Sequence, residues 1–152
     1  MESLQSLPLH PAAVLVLDTN VVLDLFYFRD RRCDALAAAL SAGRCQWVAT
    51  EAMRDEIDHV VARGLHGDWP GSAATVQDAW RRWATMARAE TPPPRARMRC
   101  TDPDDQKFID LALQIGASAL LSADRAVLRL ARHGRLLGLE ITTVERWSLR
   151  MG

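Results

Sequence analysis

Cysteine is scarce and scattered: Cys33, Cys45 and Cys100 are odd in number and form no CxxC pair, which argues against a zinc site and a disulfide framework. Lysine is scarcer still, with Lys107 alone among 19 basic residues. An excess of one charge is missing too, since those basic groups meet 19 acidic ones. No whole-molecule field therefore draws the chain toward nucleic acid, and any attraction to a polyanion must be local. No apolar run approaches membrane-spanning length, and the N-terminus, with Glu2 and no basic lead into a long apolar stretch, lacks a secretory pattern. The expectation is a cytoplasmic protein with reduced thiols and no membrane association.

What is present suits one globular domain over residues 1–152, because 49% hydrophobic content in a chain of this length suffices for a sizeable core. Ala13 to Leu17 is continuously apolar and reads as a strand buried on both faces, ending at Asp18. Helical spacings follow at Val21, Val22, Leu25 and Phe26 and again at Leu36, Ala37 and Leu40, interrupted by the charged run Arg29 to Arg32 and closed by Gly43. Gln46 to Ala49 forms a second strand. Thr50 then suits the cap of a helix carrying Met53, Ile57, Val60 and Val61, with Glu56 in its first two turns. A loop at Gly64 to Gly71 precedes another helical period, read from Val76 through Trp80 and Trp83 to Met86 and Ala87, which Pro92, Pro93 and Pro94 stop.

Beyond the prolines, Arg95, Arg97 and Arg99 alternate with Ala96, Met98 and Cys100, a period of two that predicts a short extended segment with one basic face. Asp102-Pro103-Asp104-Asp105 reads as a helix start, with Asp102 as the cap and Pro103 at the first helical position. Gly116 ends that helix, Ala117 to Leu121 forms a strand, Ser122 to Asp124 opens a helix holding Val127, Leu128 and Leu130, and Leu139 to Thr142 gives the last strand. Alternating strands and helices imply an α/β fold, a three-layer α/β/α sandwich around a mostly parallel central sheet of four to five strands.

Four carboxylates, Asp18, Glu56, Asp105 and Asp124, fall where strands end or helices begin. In a parallel sheet those positions share one edge, outside the carboxyl ends of the strands, where such folds bind ligands. Singly, each acid reads as well as a helix cap or a solvated helix residue. Asp18 resists that reading best, because a charge directly after five apolar residues requires a partner. Gathered at roughly 6 Å, each pair would repel by about 2 to 3 kcal/mol at an effective dielectric of about 20, so the group needs protons or a cation. Oxygen donors of this kind suit Mg²⁺ or Mn²⁺ and phosphodiester hydrolysis. His59 and His66 lack metal-ligand spacing and are excluded from the site.

Four ordered blocks resemble the PIN-domain nucleases: Val14 to Val21 with its Asp-Thr-Asn stretch, Thr50 to Ile57, Arg99 to Phe108, and Leu120 to Arg125 with a hydroxyl residue two before the acid. The resemblance implies a Mg²⁺- or Mn²⁺-dependent endoribonuclease with Asp18, Glu56, Asp105 and Asp124 as catalytic and metal-binding acids. Thr19, Asn20 and Ser122 would hold these carboxylates or contact phosphate, and Asp104 is a neighbour that could share the third position. Glu51 is the weaker rival for the second. Many small members resemble the toxin halves of bacterial toxin–antitoxin pairs, so RNA, a protein antitoxin and a second copy in a homodimer are the expected partners.

Arg95, Arg97 and Arg99 would hold RNA phosphates at the rim of the acidic pocket, although a charged edge strand explains them equally well. Trp80 and Trp83, at spacing three, read as core or dimer contacts rather than base-stacking platforms. A receiver domain is disfavoured because Lys107 sits in the helix after the third block rather than on the last strand, and a haloacid-dehalogenase-like phosphatase because the second residue after Asp18 is Asn20. The remaining alternative is a PIN-fold module that binds RNA or protein without cutting.

Overall fold

Strand β1 (Ala13–Leu17) forms because every position is apolar, and it takes the middle of the sheet because only a central strand covers both of its faces. In the computed structural model, which describes residues 12–90 and 98–151, Leu15 and Val16 are fully buried. Helices α1 (Thr19–Phe26) and α2 (Asp34–Ser41) lead to β2 (Cys45–Ala49), and α3 (Glu51–Ala62) and α4 (Ala73–Trp83) lead to β3 (Ala84–Met86). Helix α5 (Gln106–Ile115) precedes β4 (Ala119–Leu121), and α6 (Arg125–Leu128) and α7 (Ala131–Leu136) precede β5 (Glu140–Thr142). Helix α8 (Val144–Met151) follows.

The strands lie in the order β3-β2-β1-β4-β5, and every neighbouring pair is parallel. Leu15 stands opposite Trp47 on one side and Ala119 on the other, and Leu121 stands opposite Leu17 and Thr142. The chain builds outward from β1 to β3, then returns across β1 to add β4 and β5. Strand order therefore reverses between β1 and β4, which places a crevice at their carboxyl ends. Asp18 follows one of these two strands and Ser122 to Asp124 the other.

Aromatic packing fills the β2 side of the core. Trp47 is fully buried with its ring centroid 4.4 Å from Trp80 and 5.5 Å from Phe26, and Phe26 in turn stacks on Trp83 at 5.6 Å. Both tryptophans of α4 thus serve packing. Gly116 closes α5 in the left-handed conformation, φ +64°, which a side chain would strain.

Two expectations are corrected. The helical period read through Met86 and Ala87 stops at Trp83, and Ala84 to Met86 pairs with β2 as an edge strand, Trp47 opposite Ala84. Backbone hydrogen bonds to β2 outweigh the weak local preference of three residues whose side chains are largely exposed. The helix opened by Asp124 also splits, α6 ending at Leu128 and α7 starting at Ala131, so Leu130 sits at the junction.

Of the alternating arginine segment, Arg95 and Arg97 lie outside the described residues. Met98 is buried and Arg99 exposed, in keeping with alternation, but this stretch joins no strand among the described residues. Gln106 secures it instead, its amide nitrogen donating to Met98 O at 2.9 Å and its carbonyl accepting from Cys100 N at 2.7 Å. Among the described residues no helix is long and apolar enough to cross a membrane.

Candidate metal centre

Three acids at the crevice are helix caps as well as candidate ligands. Asp18 Oδ1 accepts from Val21 N at 2.9 Å at the start of α1, and Asp124 Oδ1 accepts from Ala126 N at 2.8 Å at the start of α6. Asp102 Oδ1 accepts from Asp104 N at 3.0 Å, opening the 3₁₀ turn Pro103–Asp105 that runs into α5. Capping orients each carboxylate at the positive end of its helix, which offsets part of the repulsion among them.

Oxygens of Asp102, Asp105 and Asp124 all lie within 4.8 Å of one another. Asp105 was expected in this position and Asp124 beside it, whereas Asp102 was read only as a cap. It is both. Residues i and i+3 of a 3₁₀ turn lie one above the other, so Asp102 and Asp105 share a face. That spacing was the available signal. Asp104 is exposed and outside the cluster, and so is Glu51 at the start of α3.

Asp18 is joined to this group through Ser122. The buried Ser122 hydroxyl donates to Asp18 Oδ2 and accepts from Asp124 N at 3.0 Å, so one side chain ties the ends of β1 and β4 together. Thr19, in the first turn of α1, has a buried hydroxyl without a hydrogen-bond partner among the described residues, and Asn20 is exposed.

Glu56 behaves differently. Its Oε2 lies 2.5 Å from Lys107 Nζ, an ion pair rather than an aligned hydrogen bond, since that oxygen has no hydrogen-bond partner. The second predicted acid thus has its charge balanced by the chain's sole lysine, on the helix that Asp105 introduces.

Electrostatics follow from this arrangement. Burial pushes the Asp18 carboxyl up, against the opposing pull of the Ser122 hydroxyl and the Val21 and Ala123 amides, and Asp124 adds repulsion. The Asp105 carboxyl is pushed up to about 6, first by burial and then by the charges of Asp124 and Asp102. Asp105 Oδ2 is buried with no hydrogen-bond partner among the described residues. Such a carboxylate oxygen beside two further carboxylates fits a hard cation, because all the donors are oxygens and none of the three is ion-paired among the described residues.

The protein is thus an α/β fold with an all-parallel sheet and an acidic cluster, suited to a divalent cation, at its switch point. The sequence model of the PIN domain matches residues 14–126, and the chain belongs to this family. No curated protein matches the chain. PIN domains are generally nucleases and typically bind divalent metals, and the cluster at Asp102, Asp105 and Asp124 is consistent with both properties.

Proposed function

We propose that this PIN-domain protein is a Mg²⁺- or Mn²⁺-dependent endoribonuclease. The observation carrying this reading is the close approach of the Asp102, Asp105 and Asp124 oxygens, with one Asp105 oxygen buried and unpaired. Asp105 and Asp124 would hold the cation together with Asp102, and Asp18, linked to Asp124 through Ser122, would add a further carboxylate. When bound, the cation lowers the pKa of a coordinated water and neutralises charge at the scissile phosphate. Ser122 holds the Asp18 carboxylate through its hydroxyl hydrogen and the Asp124 backbone amide through its oxygen, so it positions the two residues relative to each other, while the Ala126 amide orients the Asp124 carboxylate. Water attacks phosphorus, a P–O ester bond breaks, and the products are a phosphate monoester and a hydroxyl end.

The Glu56–Lys107 pair favours a second reading, a module that binds RNA or protein without cutting, since the fourth acid then has no ligand role. A cleavage assay on single-stranded RNA separates them. The nuclease cuts with Mg²⁺ or Mn²⁺, stops with chelator, and is silent in Asp105→Asn and Asp124→Asn. Metal-independent binding without cutting assigns the module.

The toxin role belongs to the same proposal, supported by the resemblance to small PIN toxins. It entails an antitoxin and, as expected for that class, a homodimer. Coexpression with the product of an adjacent small reading frame tests it: relief of growth arrest supports the toxin, and an absence of arrest from the wild-type chain alone contradicts it.

A further inference from the structure

Zero net charge conceals an uneven distribution. From residue 125 onward the chain carries Arg125, Arg129, Arg132, Arg135, Arg146 and Arg150 against only Glu140 and Glu145, so the preceding part is acidic by the same margin. Folding turns this into a surface. Arg135 near the end of α7 and Arg146 and Arg150 on α8 line a groove of about 390 Å³ along the edge strand β5, with Glu140 and Thr142 on its floor. Arg146 and Arg150 stand one helical turn apart, a rise of about 6 Å.

Close packing builds the groove. A Cβ on Gly134 would lie 2.7 Å from Leu139 O and 3.1 Å from Ile141 Cδ1, so only glycine lets α7 approach β5 this closely. Arg150 pairs with Glu140, whereas Arg135 and Arg146 have no ion-pair partner among the described residues. Two uncompensated guanidinium forks therefore face one channel.

The channel ends at Thr142, one strand away from the acidic crevice. Thr142 O accepts from Ser122 N at 3.0 Å, and Thr143 Oγ1 accepts from Arg146 N at 3.2 Å, which sets Arg146 in the first turn of α8 at the same sheet edge as Asp124. β4 and β5 are adjacent, about 4.8 Å apart. We propose that the groove between β5, α7 and α8 binds the phosphate backbone of single-stranded RNA, with Arg135 and Arg146 as its contacts. The assignment rests on the endoribonuclease reading and adds where the strand runs beyond the cutting site. Charge complementarity selects the ligand: the acidic crevice repels a polyanion, and planar guanidiniums bind phosphate at two points.

The test uses the full chain in chelator, so that binding is read without cutting, with fluorescence anisotropy of a labelled single-stranded RNA across a KCl series. Arg135→Gln with Arg146→Gln should lower affinity at least about tenfold and reduce the slope of log K against log salt by about 1.4, the value for two lost phosphate contacts on a single strand. Arg44→Gln, at the opposite edge of the sheet, should change neither, and an unchanged melting temperature shows that the double variant folds. Equal affinity and slope in the wild type and the double variant would overturn the proposal. So would unchanged RNA binding accompanied by loss of a dimer, which would assign the groove, flanked by the exposed Leu136 and Leu149, to a second copy. Arginine-dependent binding by a wild type that never cuts with Mg²⁺ or Mn²⁺ supports the groove and counts against the nuclease reading alone.

Discussion

The Asp102–Asp105–Asp124 cluster and the Glu56–Lys107 pair stand at the same edge of the sheet, yet one leaves its charge open and the other closes it. Lys107 neutralises Glu56 at 2.5 Å. Among the described residues no base pairs with the cluster, where burial and mutual repulsion lift Asp105 to about 6. Charge that the protein itself balances contributes to the fold, and charge that it leaves unbalanced awaits something from solution. On that contrast the proposed metal site centres on the cluster, with Glu56 of the expected quartet held by Lys107 instead.

Substitutions that neutralise the cluster should separate activity from stability most strongly. Asp105→Asn and Asp124→Asn are expected to reduce metal-dependent RNA cleavage at least about a hundredfold, because each removes a ligand and a charge. Asp105→Asn should at the same time raise the metal-free melting temperature at pH 7.5, since it relieves repulsion and burial of charge. A fall in both quantities would mean that the carboxylate is structural.

Ser122→Ala comes next, with an expected loss of about ten- to a hundredfold in cleavage or metal affinity, as for residues that orient ligands. Asp102→Asn should fall in the same range while Asp104→Asn stays near wild type. Equal losses in the two aspartates would break the distinction between the cluster and its exposed neighbour.

Acidity should sharpen the contrast further. Because the Asp105 carboxyl lies near 6 in the folded chain and at 3.8 without the fold, the folded state holds an extra proton between those values. Metal-free stability from this group is therefore fully present below 3.8 and is lost as pH rises through about 6. Metal binding runs the other way. Protons compete for the carboxylate, so affinity measured by calorimetry should fall about tenfold per unit below that pKa, a dependence that Asp105→Asn removes.

The smallest effect belongs to the compensated pair. Glu56→Gln or Lys107→Met should shift unfolding free energy by less than about 1 kcal/mol, as for an ion pair with both side chains partly open to water. A loss of several kcal/mol in urea denaturation would show that the pair is more than a local neutralisation.

Most strands were legible because β1, β2, β4 and β5 carry apolar residues whose burial depends little on context. β3 was not. Ala84-Thr85-Met86 is too short to show a period of two, so Met86 falls into the helical spacing of Trp80 and Trp83, and the segment becomes a strand by pairing with β2. The junction at Arg129 and Leu130 was invisible for a related reason, as no glycine or proline marks it. At the site, the positions of Asp18, Asp105 and Asp124 follow from the ends of strands and the starts of helices, which periodicity reveals. The role of Asp102 was hidden because capping fully explained its presence, and one carboxylate can cap with one oxygen while offering the other. The partner of Glu56 lies 51 positions away in sequence, and no local pattern announces such a pairing.

The most direct test is an anomalous difference map from crystals grown with Mn²⁺. The account predicts a peak within coordination distance of Asp105 and Asp124, with Asp102 or Asp18 completing the carboxylate shell directly or through water. No peak there, in crystals where Mn²⁺ supports cleavage in solution, or a peak at Glu56 with Lys107 displaced and the three aspartates unoccupied, would contradict it.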